Sequence, residues 1–127
     1  MGSQKLKIVL CDDSMLVRKQ LLEILTDAGI KTILEASNGK EALSLIKEYN
    51  PQAIFLDIVM PVMNGIDTLK ELRKFNSKIK VIMLTSSGTQ THLKTALEEG
   101  AYDFIQKPWK EMQILSILDK LKDEEEV

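Results

Sequence analysis

Four apolar runs in this chain end on residues that can do chemistry. Leu6–Cys11 leads into Asp12 and Asp13, Ala53–Leu56 into Asp57, Val81–Leu84 into Thr85, and Phe104-Ile105-Gln106 into Lys107. Each run reads as a buried strand. In an open parallel sheet, strand ends of like polarity gather at one edge, where ligands bind. Three carboxylates, one hydroxyl and one ammonium would then converge. Oxygen donors that leave room for several waters suit Mg²⁺. An ammonium on a flexible stem suits a phosphate oxygen as a point charge. Asp57 is then the candidate nucleophile toward a phosphoryl group.

Taken singly, these residues have ordinary explanations. Adjacent carboxylates repel, and one pKa rises unless a cation sits between them. Acids also favour helix N-termini, so Asp12-Asp13 alone fits either role. Asp57 has no capping role to explain it. A single Lys or Thr at a strand end carries no weight, although Pro108 restricts Lys107 to extended backbone. The argument rests on all of them ending strands at one edge.

Those positions require five strands, expected at Leu6–Cys11, Thr32–Ala36, Ala53–Asp57, Ile79–Thr85 and Tyr102–Gln106. Segments of helical period lie between them. The first runs from about Ser14 to Ala28, with Ser14 as N-cap and Gly29 as the stop. The second begins near Asn38, which has capping-box spacing to Glu41, and stops before Asn50-Pro51. The third spans Gly65 to about Phe75 and the fourth roughly Thr89 to Glu99. The last covers about Lys110 to Lys122, with Lys110 a poor N-cap. Strands alternating with helices through right-handed crossovers predict an α/β fold, a parallel sheet covered on both faces. Residues 1–127 read as a single domain. Residues 1–5 read as a tag or a disordered start, and residues 123–127 as a frayed acidic tail.

Composition excludes several classes. A net charge of -2 without a Lys/Arg stripe argues against a nucleic-acid partner. Cys11 is the only cysteine, cannot form an internal disulfide and reads as a buried strand residue in a reducing compartment. The first apolar run is too short for a signal peptide, and no run approaches the ~20 residues that span a bilayer, so a cytoplasmic location without a membrane partner is expected. His92, the only histidine, reads as a solvated helix residue.

Five motifs together resemble a known family. They are Cys11-Asp12-Asp13-Ser14, Asp57-Ile58-Val59-Met60-Pro61 with Met63-Asn64-Gly65, Leu84-Thr85-Ser86, Gly100-Ala101 and Lys107-Pro108-Trp109. In this order they resemble response-regulator receiver domains, and within these the single-domain, CheY-like chemotaxis type. The resemblance implies a flavodoxin-like (βα)5 fold with strand order 2-1-3-4-5. It implies that Asp57 accepts a phosphoryl group from a histidine kinase. It also implies Mg²⁺ held by Asp13, Asp57 and the backbone carbonyl of Val59, with Asp12 acting through water. Lys107 and Thr85 would bind the phosphate, and Thr85 and Phe104 would form the switch. The Lys107-Pro108 bond is often cis in this family.

The expected function is thus a two-component signalling switch that changes a face built from the fourth helix, fifth strand and fifth helix. Its downstream target would lie in chemotaxis, with a flagellar motor switch as one candidate. The alternative is a receiver cut from a longer regulator such as a transcription factor. An aspartyl-phosphate phosphatase is disfavoured because Asp-x-Asp-x-Thr is absent after the first strand. A flavin module is disfavoured because Asp12 and Asp13 would repel its phosphate. The chain is therefore expected to be a switch and not an enzyme toward external substrates. Departures from the enteric chemotaxis pattern are Val59 for Asn, Ser87 for Glu and Trp109 for Phe, with Ile117 as an apolar residue near the rim of the output face. The first two predict a long-lived phosphoryl group and a separate phosphatase.

Overall fold

A computed structural model describes residues 6–76, 78–86 and 90–126. The strands are β1 (Lys7–Cys11), β2 (Thr32–Ala36), β3 (Ala53–Asp57), β4 (Lys80–Thr85) and β5 (Asp103–Gln106). The helices are α1 (Met15–Asp27), α2 (Gly39–Tyr49), α3 (Gly65–Phe75), α4 (Leu93–Glu98) and α5 (Glu111–Glu126). All strand pairs are parallel, in the order β2-β1-β3-β4-β5. This is the flavodoxin-like order that the resemblance implied.

Alternation along the strands splits the core in two, because successive side chains leave a strand on opposite faces. Val9, Cys11, Ile54, Leu56, Val81 and Met83 pack against α2, α3 and Ala96 of α4. Ile8, Leu10, Phe55, Ile82, Leu84 and Ile105 pack against α1 and α5. Every residue of β3 is buried, as expected for a central parallel strand covered on both faces. At the edge, β5 buries only Ile105.

Local signals set the helix starts. The side chains of Ser14, Asn38 and Asn64 accept from Val17, Glu41 and Asp67 N–H groups and cap α1, α2 and α3. Gly29 follows α1 at φ 92. Asn50 closes α2 in the left-handed region, where its short polar side chain is tolerated.

Four expectations need correction. The fourth helix, expected over Thr89–Glu99, is a 3₁₀ turn at Gln90–His92 followed by only Leu93–Glu98. The acidic tail, expected to fray, is helical to Glu126. Glu124 holds it by accepting from the Tyr102 hydroxyl at 2.8 Å, with Lys80 Nζ at 3.8 Å. The N-terminus of α5 is supported after all, since Gln113 reaches back to accept from Lys110 N–H at 2.9 Å. That is one half of a capping box. Ile117 is not at an exposed rim but is 5% exposed in the α1–α5 core; Met112, 78% exposed, is the apolar residue that faces out there.

Candidate functional site

Register brings the strand ends together. Cys11 pairs with Leu56, which sets Asp12 level with Asp57. Asp57 pairs with Leu84, one residue before Thr85, and Thr85 pairs with Gln106, one residue before Lys107. Lys107 N–H then continues the ladder to Thr85 O at 2.6 Å. Asp12, Asp57, Thr85 and Lys107 therefore occupy one edge of four adjacent strands.

At that edge one ammonium serves two carboxylates. Lys107 Nζ donates to Asp12 Oδ2 at 2.6 Å and lies 3.4 Å from Asp57 Oδ1. Asp12 is 1% exposed and Asp57 7%, while Asp13 is open to solvent. Carboxylate oxygens of Asp12, Asp13 and Asp57 all lie within 4.8 Å of one another. Burial pushes the Asp57 carboxyl up to about 6, with help from the Asp12 charge. Lys107 and a backbone hydrogen bond from Val59 only partly offset this. The geometry therefore has a deficit of positive charge. Hard oxygen donors crowded in this way fit a divalent cation such as Mg²⁺.

Neighbouring groups fix the acids. Asp12 Oδ1 accepts from Ser14 N–H at 2.9 Å, and its carbonyl accepts from Arg18 Nη1 at 2.7 Å. Arg18 is oriented in turn by Glu35 Oε1 at 3.0 Å. Sequence reasoning passed over Arg18. The β1–β2 register pairs Leu10 with Glu35 and so puts an acid beside the first turn of α1, a pairing that the sequence alone does not show.

Gly65 was expected as a motif residue and as the start of the third helix, and the structure adds a reason for glycine there. Its N–H donates to Ile58 O at 2.7 Å, and a Cβ there would overlap Asp57 O and stand 2.8 Å from Ile58 Cα. Only glycine lets α3 start against the back of the acidic strand end. Between them, Val62 adopts φ 71, and Met63 N–H donates to Pro61 O at 2.7 Å. Val59 stands 60% exposed beside Asp57.

Thr85 is buried, and its Oγ1 lies 3.5 Å from Ile105 O, a long and weak hydrogen bond. By strand alternation Thr85 and Phe104 share the sheet face that α4 covers, and Phe104 is 45% exposed, turned outward. The Lys107-Pro108 peptide is cis. Trp109 packs at the edge of the α1–α5 core.

Other residues stay out of the cluster. His92 is exposed. Cys11 Sγ is buried 3.3 Å from Asn38 O and 3.4 Å from Met60 Sδ, and burial pushes its thiol up to about 12, which makes it inert. Ser87 and residues 1–5 lie outside the described residues. Among the described residues, no helix is long and apolar enough to cross a membrane.

Comparison with known proteins agrees with this geometry. The family model for the response regulator receiver domain matches residues 8–119. A chemotaxis protein CheY of Thermotoga maritima is 37% identical over 115 residues, 91% of this chain and 96% of that protein. A protein-glutamate methylesterase/protein-glutamine glutaminase of Methanococcus maripaludis is 42% identical over 108 residues, which are 82% of this chain but only 29% of that protein. The crystal structure of the receiver domain of NtrX from Brucella abortus superposes with TM-score 0.85 at 28% identity, covering 92% of this chain and 98% of that one.

Proposed function

The chain belongs to the response regulator receiver domains of two-component systems, and from that premise we propose that Asp57 is its phosphoacceptor and that phosphorylation drives a chemotaxis switch. The observation that carries this reading is the placement of Asp57 beside Asp12 with one ammonium shared between them, Lys107 Nζ being bound to Asp12 at 2.6 Å and within 3.4 Å of Asp57. An Asp57 oxygen attacks the phosphorus of a phosphohistidine on the kinase. The P–N bond breaks, and its electron pair stays on the imidazole nitrogen, which takes up a proton. Lys107 turns from Asp12 toward the transferred oxygens and stabilises their charge. Asp13, Asp57 and the Val59 carbonyl would hold Mg²⁺, with Asp12 through water, and the ion would supply further charge stabilisation there.

The phosphoryl group offers Thr85 Oγ1 a stronger acceptor than Ile105 O. Drawn toward it, the hydroxyl vacates space on the face it shares with Phe104, and the outward ring turns in. The α4-β5-α5 face then presents Met112, Gln106 and Leu97 to a downstream target, with a flagellar motor switch as the fitting one. Val59 offers no hydrogen bond to an attacking water, so the adduct is long-lived and a separate phosphatase positions that water. The similarity to a CheY over 96% of that protein's length favours chemotaxis. The second reading, a receiver from a longer regulator, draws on the methylesterase, of which this chain covers 29%.

The test is intact mass after treatment with acetyl phosphate and Mg²⁺, followed over time. Wild type should gain one phosphoryl adduct and Asp57→Asn none. Val59→Asn should lose the adduct roughly tenfold faster or more. An adduct that persists in Asp57→Asn overturns the assignment.

A further inference from the structure

Arg73 lies far from the acidic edge, and its guanidinium is directed at main-chain oxygens on three segments. Nη1 donates to Asn76 O at 3.2 Å and to Ile79 O at 2.9 Å, and Nη2 donates to Gly100 O at 2.7 Å. These carbonyls belong to the end of α3, the approach to β4 and the turn from α4 to β5. Gly100 is fitted to this contact. It sits at φ 96, and a Cβ there would stand 3.1 Å from Arg73 Nε. The same turn is tied again by Gly100 N–H to Leu97 O at 3.1 Å, Ala101 N–H to Ala96 O at 2.9 Å and Tyr102 N–H to Val81 O at 2.8 Å.

The other end of α4 is built differently. It follows a 3₁₀ turn, has no side-chain cap at His92, and leaves Thr91 and His92 exposed. Among the described residues, the ties on this short helix gather at its C-terminal end. The uncapped end lies at the side of the sheet edge where Thr85 ends β4.

We infer that Arg73 is the pivot of the switch. It clamps the C-terminal end of α4 to α3 and to the start of β4. A change begun at Thr85 then swings the N-terminal end of α4 about Gly100, instead of sliding the whole helix. The inference rests on the reading of Asp57 as phosphoacceptor. Arg73 touches no reacting group; it is a positioning residue. The planar guanidinium fork holds five donors in fixed directions, so it bridges these separate carbonyls with less loss of freedom than a lysine ammonium on its flexible stem.

The experiment uses the full chain as wild type, Arg73→Lys and Arg73→Gln, before and after acetyl phosphate with Mg²⁺. Intact mass, amide hydrogen exchange and backbone NMR shifts are measured. All three proteins should take the adduct equally. Without phosphate, amides of Leu97–Tyr102 should exchange roughly tenfold faster or more in both variants. On phosphorylation, wild-type shifts should be large at Leu93–Thr95 and small at Gly100–Tyr102, and in both variants should spread to Tyr102. Unchanged exchange at Leu97–Tyr102 in the variants overturns the clamp. Wild-type shifts as large at Gly100–Tyr102 as at Leu93 overturn the pivot. Arg73→Lys keeps the charge and stem and is decisive if Arg73→Gln folds poorly; a wild-type pattern in Arg73→Lys also overturns the proposal. A wild type that takes no adduct sinks the phosphoacceptor reading instead, while the exchange comparison still judges the clamp.

Discussion

Helices α1, α2 and α3 each start under a side-chain cap, from Ser14, Asn38 and Asn64, whereas α4 starts at His92 with none. The same contrast runs through the strands. β3 is buried along its whole length, while β5 buries one residue and leaves Phe104 turned outward. The acidic cluster stands entirely on the closed part, on β1 and β3 and the loops held by Ser14, Arg18 and Gly65. Lys107 and Thr85 connect it to the looser part. Chemistry needs groups fixed to fractions of an ångström, and a readout needs an element with two arrangements of similar energy. On the function proposed above, this molecule separates the two along its strand order. The substitutions below test that separation.

The largest effect should come from Gly65→Ala. The new methyl would overlap the Asp57 carbonyl and crowd Ile58 Cα at 2.8 Å, and backbone on both sides cannot give way cheaply. We expect a loss of about 3 kcal/mol in urea unfolding, together with loss of the phosphoryl adduct. A stable Gly65→Ala protein that still phosphorylates would show that the closed part is less rigid than its contacts imply.

Next comes the cost of the acidic cluster itself, read without Mg²⁺. The Asp57 carboxyl is raised from 3.8 to about 6, chiefly by burial. Folded protein therefore holds this proton more tightly than unfolded chain does. The contribution of Asp57 to stability is full below about pH 4 and is lost as pH rises toward 6. Asp57→Asn abolishes that slope. In the presence of chelator, the stability of Asp57→Asn relative to wild type should grow from little at pH 4 to about 3 kcal/mol at pH 7. Added Mg²⁺ should shrink the gap by stabilising wild type. A gap independent of pH would mean that Asp57 is ionised as readily as an ordinary carboxylate.

The caps give a smaller and more direct comparison. Asn38→Ala or Asn64→Ala should each cost about 1 kcal/mol by thermal or urea unfolding. His92→Ala should stay within about 0.5 kcal/mol of wild type, because its side chain makes no cap bond. Equal costs at all three positions would erase the distinction between the two parts.

How much of this was legible beforehand follows the same division. β2 and β3 match their expected bounds, and β1, β4 and β5 start one residue later than expected. β1, β3 and β4 were legible because strands buried on both faces read as unbroken apolar runs. The starts of α1 to α3 were legible from Ser14, Asn38 and the Asn64-Gly65 motif. The fourth helix was not, since its six residues bury only Ala96 and carry little pattern. Ile117 was misplaced because periodicity gives a stripe but not which edge of the stripe a neighbour covers. Asp12, Asp57 and Lys107 could be grouped as strand ends. Arg18, Arg73 and the close approach at Gly65 could not, because each depends on which loop meets which strand. The fraying expected at Asp123 failed because Tyr102 and Lys80, distant in sequence, hold Glu124.

A last, small effect concerns backbone strain in the closed part. Val62 sits at φ 71, with the hydrogen bond from Met63 N–H to Pro61 O closing a tight three-residue turn. A branched side chain disfavours this region, and the rare γ-turn is strained for any residue other than glycine. Val62 is 70% exposed, so its removal gives up little packing. Val62→Gly relieves a strain of about 1–2 kcal/mol and loses about 0.5–1 kcal/mol through the greater freedom of the unfolded chain. The net should be a gain of about 0.5–1 kcal/mol, read as a higher urea midpoint with unchanged slope. The adduct yield at Asp57 should not change, because the turn is anchored on both sides, by Ile58 O to Gly65 N–H and by the Asn64 cap. If Val62→Gly instead lowers the midpoint, the valine is not strained there. If it gains stability but loses phosphorylation, the turn is held in that shape by the side chain itself, and the loop after Asp57 belongs with the movable part of the molecule.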